Sequence, residues 1–117
     1  MYKRHVIGQF GEDVATRYLK QKGYKIVNRN FTCRQGEIDI IAEKQGYLVF
    51  IEVKTRSNLL YGKPAQAVDK TKIKHMYKVA KYYLHIQGLE NRFVRFDVIE
   101  VYIEKGLARV NHIPQIL

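Results

Sequence analysis

A mixed β-sheet of five strands flanked by helices, in the order α-β-β-β-α-β-β, is the α/β architecture that this 117-residue sequence predicts. Three observations predict it. Two segments repeat apolar residues at helical spacing, five are rich in β-branched and aromatic residues, and two short Gly-containing links join four of those five in pairs. With 46% hydrophobic and 27% charged residues the composition is that of a folding chain, and the length suits one domain over 1–117.

The first helix is expected over 7–21, where Ile7, Phe10, Val14, Tyr18 and Leu19 share one side and Gly23 ends the run. Residues 24–33, with Ile26, Val27 and Phe31, read as a strand. Residues 37–42 and 47–53 read as a hairpin across Lys44-Gln45-Gly46, and the second of these strands is apolar on both faces until its end. A strand of that kind is central and needs a helix on each side of the sheet. Residues 57–64 read as a loop. A second helix over 69–87 turns Ile73, Met76, Tyr77, Ala80, Tyr83, Leu84 and Gln87 to one side, and two strands over 93–103 and 107–113 meet at Lys105-Gly106.

Twenty-one Lys and Arg against 11 Asp and Glu leave a formal charge of +10, which favours a polyanionic partner and nucleic acid above others. Cys33 is the only cysteine, so an internal disulfide is excluded and a reducing, cytoplasmic setting is expected. There is no apolar stretch of signal-peptide or membrane-spanning length, so no membrane partner is expected. His5, His75, His85 and His112 show no metal-ligand spacing, which disfavours a zinc enzyme.

With the hairpin turn centred on Gln45 and Gly46, Lys44 faces Tyr47, and the same register carried on pairs Asp39 with Glu52 and Glu37 with Lys54. Directly opposed residues hold their Cβ atoms roughly 4.5–5.5 Å apart on one face. Two facing carboxylates raise each other's pKa and call for a counterion, and Mg²⁺ (or Mn²⁺) suits one or two carboxylates plus water and substrate phosphate. Lys54 is placed to assist an attacking water or to stabilise charge developing on phosphorus. A plain cross-strand ion pair, or acids solvated at a strand end, would explain the same residues more simply. Against that, Glu52 and Lys54 follow Val49-Phe50-Ile51 in an otherwise buried strand, where uncompensated charge is expensive. Glu12 shares its helical side with Gly8, Ala15 and Leu19 and is a candidate fourth carboxylate; an acid solvated in the first half of a helix is the equally simple reading.

The succession Gly11-Glu12, Gly23-Tyr24, Asn30, Gly36-Glu37-Ile38-Asp39, Val49-Phe50-Ile51-Glu52-Val53-Lys54-Thr55-Arg56, Gly62-x-Pro64 and Ala67-Val68-Asp69 resembles the YraN family of predicted bacterial nucleases. That family belongs to the restriction-endonuclease-like, or PD-(D/E)XK, superfamily and is similar to archaeal Holliday junction resolvases. The resemblance runs to about Leu84 and implies a restriction-endonuclease-like fold and a metal-dependent endonuclease acting on DNA, branched or structured DNA included. By the superfamily's Asp…Glu-x-Lys signature it implies a site of Asp39, Glu52 and Lys54, with Glu12 as the helix-one acid of resolvases. The superfamily's frequent proline before the aspartate is Ile38 here, a departure that costs no ligand. Gln66 stands where related nucleases place a polar helper, and a polar residue at a helix start reads equally well. By analogy with resolvases a homodimer is expected, although no self-complementary patch in the sequence establishes one.

On the second helix Lys70, Lys74, Lys78, Lys81 and His85 fall within a stripe of about 80°, with no acid from Lys70 to Leu89, as expected of a phosphate-tracking ridge rather than a solvated face of mixed sign. Arg34 and Arg56, near the ends of the catalytic strands, are further candidates for phosphate contact, and ordinary surface arginines are the equally simple reading. The tyrosines Tyr77 and Tyr83 are assigned to the core rather than to base stacking. The competing reading is a basic nucleic-acid-binding module with the same fold and no turnover.

Overall fold

A computed structural model describes residues 2–57 and 70–116, with side chains over 6–57 and 71–116. Seven elements follow in the expected order: α1 (Tyr2–Gln21), β1 (Lys25–Cys33), β2 (Gly36–Lys44), β3 (Tyr47–Ser57), α2 (Lys70–Gln87), β4 (Phe93–Glu104) and β5 (Leu107–Ile113). The expected Gln66 and most of the 57–64 loop lie outside the described residues. So does the start of the second helix at Asp69.

The strands form one sheet in sequence order, β1 to β5. Every pairing is antiparallel except β3 with β4, which run parallel because α2 carries the chain back between them. The central place of β3 explains its apolar run. Leu48 and Phe50 go to one face, against Met76, Val79 and Tyr83 of α2. Val49 and Ile51 go to the other, against Ala15 and Leu19 of α1. The turn after β2 is the predicted one: Lys44 pairs with Tyr47, and Gln45 and Gly46 have φ of 49° and 86°. Two successive positive φ values make the primed hairpin turn, for which glycine in second place is the inexpensive choice. Tyr24 N–H to the Leu19 carbonyl (2.9 Å) and Gly23 N–H to that of Lys20 (3.1 Å) close α1 in a Schellman motif.

Two helix faces differ from expectation. Phe10 is 45% exposed, because α1 meets the sheet through Gly11, Ala15 and Leu19, and Phe10 lies about 100° round the helix from Gly11. In α2 the buried line is Met76, Val79, Ala80 and Tyr83; Gln87 is exposed and Tyr77 is 53% exposed, its ring reaching only the edge of the core at Phe96.

Gly11 carries the close approach of α1 to β3. A Cβ built there would stand 2.0 Å from Thr55 Oγ1 and 3.1 Å from Thr55 Cβ and Cγ2. Alanine is the better helix former by about 1 kcal/mol, yet Gly11→Ala is expected to destabilise, since overpacking a tight contact costs about 1–3 kcal/mol. Urea unfolding would show a lowered midpoint, recovered in large part by adding Thr55→Gly.

Candidate functional site

The predicted hairpin register holds from Lys44↔Tyr47 to Ile40↔Ile51 and stops there. The stop coincides with an irregularity in β1. The β1–β2 ladder passes from Arg29↔Ile40 to Phe31↔Ile38, and between them Asn30, opposite Asp39, adopts a φ of 54°. Asparagine is among the few residues that enter this left-handed region readily. Ile38 then packs with the α2 cluster and Ile40 with the α1 cluster, although residues two apart in a regular strand share a face. The strand β2 turns over at Asp39 and parts from β3.

Cross-strand pairs Asp39–Glu52 and Glu37–Lys54 are therefore not formed as the hairpin count expected. Asp39 instead uses its carboxylate where a backbone carbonyl would have served: Val53 N–H donates to Asp39 Oδ2 at 2.7 Å. Glu37 pairs with Thr32 of β1 and is exposed. Meanwhile β3 keeps its parallel ladder to β4 as far as Ser57↔Ile103. Glu52 and Lys54 thus stand on a strand held on one side and released on the other.

The carboxylates remain within one another's field. The Asp39 carboxyl is pushed up to about 7, first by burial, then by the Glu52 charge; the Val53 N–H works the other way, and Glu12 and Glu37 add smaller upward pushes. Glu52 is only 6% exposed, and Lys54 Nζ at 3.5 Å and Lys72 Nζ at 3.3 Å both approach its Oε2. Glu12, on α1, lies 3.6 Å from Arg29. The structure thus groups Asp39, Glu52, Lys54 and Glu12.

Lys72 was missed by sequence reasoning, yet its position carried a signal. It lies four and seven residues before Met76 and Val79, on the core-facing line of α2 rather than on the exposed lysine stripe. Glu100 was missed too. It is the parallel neighbour of Lys54 and accepts hydrogen bonds from Asn111 (2.9 Å), Tyr102 (3.0 Å) and Arg56 (3.4 Å), which hold its carboxyl below the ordinary range despite burial. Arg56, expected to reach phosphate, is thus drawn to Glu100. Arg34 is exposed between β1 and β2, and Lys74, Lys78 and Lys81 are exposed along α2. The side chain of Lys70 lies outside the described set.

Among the described residues no three His, Cys, Asp or Glu side chains make a group that could hold a metal ion. A closed protein cage is therefore not the fit. An open one is: Asp39 and Glu52 offer hard oxygen donors, and the crowding that keeps Asp39 protonated to near neutrality is what a divalent cation would relieve. No described helix is long and apolar enough to cross a membrane.

The sequence profile of the uncharacterised protein family UPF0102 matches residues 11–101. A UPF0102 protein of Caldicellulosiruptor saccharolyticus is 47% identical over 88% of this chain and 86% of its own. One from Clostridium botulinum strain 657 is 50% identical over 81% and 78%, and one from Caldanaerobacter subterraneus subsp. tengcongensis is 42% identical over 94% and 93%.

Proposed function

The chain belongs to the uncharacterised protein family UPF0102, and from that premise we propose that it is a metal-dependent endonuclease hydrolysing phosphodiesters in DNA. The observation that carries the reading is the crowding at the opened end of the hairpin, where a partly buried Asp39 carboxyl is held up to about 7 with Glu52 as its strongest charged neighbour. A part-buried acid displaced by burial and a specific charged neighbour, close to a lysine, is a candidate for chemistry. The resemblance of Asp39, Glu52 and Lys54 to the restriction-endonuclease-like signature supports the same assignment.

In this reading Asp39 and Glu52 hold Mg²⁺ or Mn²⁺, with Glu12 an outer acid of the group. Bound there, such a cation supplies Lewis acidity toward a phosphate oxygen and acidifies water. Asp39 is oriented by the Val53 N–H, which leaves Oδ1 for other partners. Lys54, steadied by Glu52, aims an ammonium at the water or at the oxygens that gain charge in the transition state. Lys72 is a second cation on Glu52 and holds the start of α2 beside it. Lys74, Lys78 and Lys81 supply the phosphate ridge that brings a strand across this end of the sheet.

The test is cleavage of linear, single-stranded, flapped and four-way DNA with Mg²⁺ or Mn²⁺, beside Asp39→Ala and Lys54→Ala. Metal-dependent nicking that both substitutions reduce by at least about a hundredfold is expected. Cleavage surviving both would belong to a contaminant. A second reading, a basic binding module without turnover, draws on the two lysines that already neutralise Glu52 and on the lack of a third metal donor among the described residues. Salt-sensitive binding to every substrate with no cleavage of any would establish it.

A further inference from the structure

Beyond the carboxylates, α2 and β4 enclose a cavity of about 320 Å³, where Tyr77, Ala80 and Leu84 face Val94 and Phe96 and where Lys81 also contributes to the wall. That volume lies at the small end of the range for pockets that take small ligands, on the order of 300–1,000 Å³. Its character is aromatic and cationic. The Phe96 side chain is nearly buried, while the Tyr77 ring, 6.3 Å away centroid to centroid, is half-exposed at the opening. Arg95 also borders the cavity, but its guanidinium donates to both oxygens of Asp97 at 3.0 and 2.8 Å, so its charge is spent. Lys81 has no ion-pair partner among the described residues and continues the exposed stripe of Lys74 and Lys78, which borders the Tyr77 side of the helix.

We propose that this groove is a nucleobase pocket, taking an unpaired base of a strand whose phosphates run along Lys74, Lys78 and Lys81. The proposal rests on the nuclease reading for its biological purpose and specifies that site's substrate: DNA with unpaired nucleotides beside the scissile phosphate. An aromatic wall beside a row of lysines is how proteins grip single strands, by stacking bases while cations follow the backbone. A duplex keeps its bases stacked inside and offers none to a slot between a helix and a sheet, whereas a flap or gap offers one at little cost. The spacing also agrees. Lys72 reaches Glu52, and Tyr77 and Lys81 follow five and nine residues later on the same helix. At about 1.5 Å per residue that is roughly 7–14 Å along the axis, a distance that a short stretch of unstacked strand spans.

Binding can be read without cleavage, using the full chain carrying Asp39→Asn and fluorescence anisotropy with a short single strand, an abasic strand of equal length and a blunt duplex. Because its ring is half-exposed, Tyr77→Ala should fold. It is expected to weaken single-strand binding by about five- to a hundredfold, with duplex and abasic binding changed less than about twofold and Tyr77→Phe close to the parent. Lys81→Ala should weaken all three and lower the salt slope on single strands by about 0.7. Equal losses on normal and abasic strands would overturn the pocket and leave phosphate binding alone. A Tyr77→Ala effect seen only in sedimentation would overturn it in favour of a second copy in the groove. Tyr77-dependent binding of unpaired strands by a wild-type protein that cuts nothing would sink the nuclease reading while leaving the pocket standing.

Discussion

Asp39→Asn should move activity and stability in opposite directions, removing cleavage by about a thousandfold or more while making the metal-free protein more stable above neutral pH. The sign follows from the acid's environment. Its folded pKa of about 7 lies above the ordinary 3.8, so the native chain keeps a proton that the unfolded chain releases between those values. Stability is therefore lost as pH rises from about 4 to 7, and the full penalty is carried above that window. Three units correspond to about 4 kcal/mol, and partial exposure brings the expected figure to about 2–4 kcal/mol. Asparagine removes the charge and keeps an oxygen for the Val53 N–H.

Thermal melts from pH 5 to 8.5 would check this. The wild type should lose stability across the window while Asp39→Asn stays flatter, and Mg²⁺ should raise the wild-type melting temperature at pH 8 but leave the variant unmoved. Metal binding should weaken as pH falls through 7, because the cation competes with a proton. Parallel pH profiles for the two proteins would show that Asp39 carries no such penalty and that nothing at this place calls for a cation.

The frame of the molecule was legible because its signals are local and repeated. The continuous apolar run of β3, the Gln45-Gly46 and Lys105-Gly106 turns and the 3.6-residue pattern of the helices each specify an element without reference to distant residues. What escaped depends on contacts between elements. Phe10 looked like a core residue because its apolarity was visible, whereas Gly11 meets Thr55 through the absence of a side chain, which periodicity does not weigh. The site was legible as a list, not as a geometry. Counting from the turn gave the right register as far as Ile40↔Ile51. It could not foresee that β2 would turn over at Asp39, opposite a left-handed Asn30 on a different strand. Lys72 could have been found by asking why a lysine stands on the core line of α2, and Glu100 became visible only once β4 was known to run parallel to β3.

The other large effect belongs to a separate side-chain network. Asp97 on β4 is fully buried and holds together Arg95, His112 on β5 and the Gln115 backbone N–H at 2.7–3.1 Å. Its carboxylate can only accept, so His112 Nε2 carries the proton, and in the neutral ring Nδ1 is left to accept the hydroxyl of Tyr18 on α1 at 2.9 Å. One acid thus links α1, β4, β5 and the chain after β5. Burial alone would raise its pKa, but the His112, Arg95 and Gln115 hydrogen bonds together outweigh that and leave it below the ordinary value. The corresponding stability is present above about pH 4 and is lost as pH falls through the lower folded pKa. Asp97→Ala removes the carboxylate that a part-buried guanidinium, a histidine and a backbone N–H share, and is expected to cost about 3–5 kcal/mol, a large share of the roughly 5–15 kcal/mol that holds a domain together.

Urea unfolding at pH 7 would measure the Asp97→Ala loss, and His112→Ala should cost less, because Arg95 and Gln115 keep their bonds to Asp97. Asp39, Glu52 and Lys54 take no part in this network. Asp97→Ala protein that is still folded at low temperature should therefore keep a Mg²⁺-dependent rise in melting temperature equal to that of the wild type. If the rise disappears with Asp97, the two clusters are coupled through the Ile51↔Asp97 pairing of β3 with β4, and the cation's contribution cannot be assigned to the opened hairpin alone.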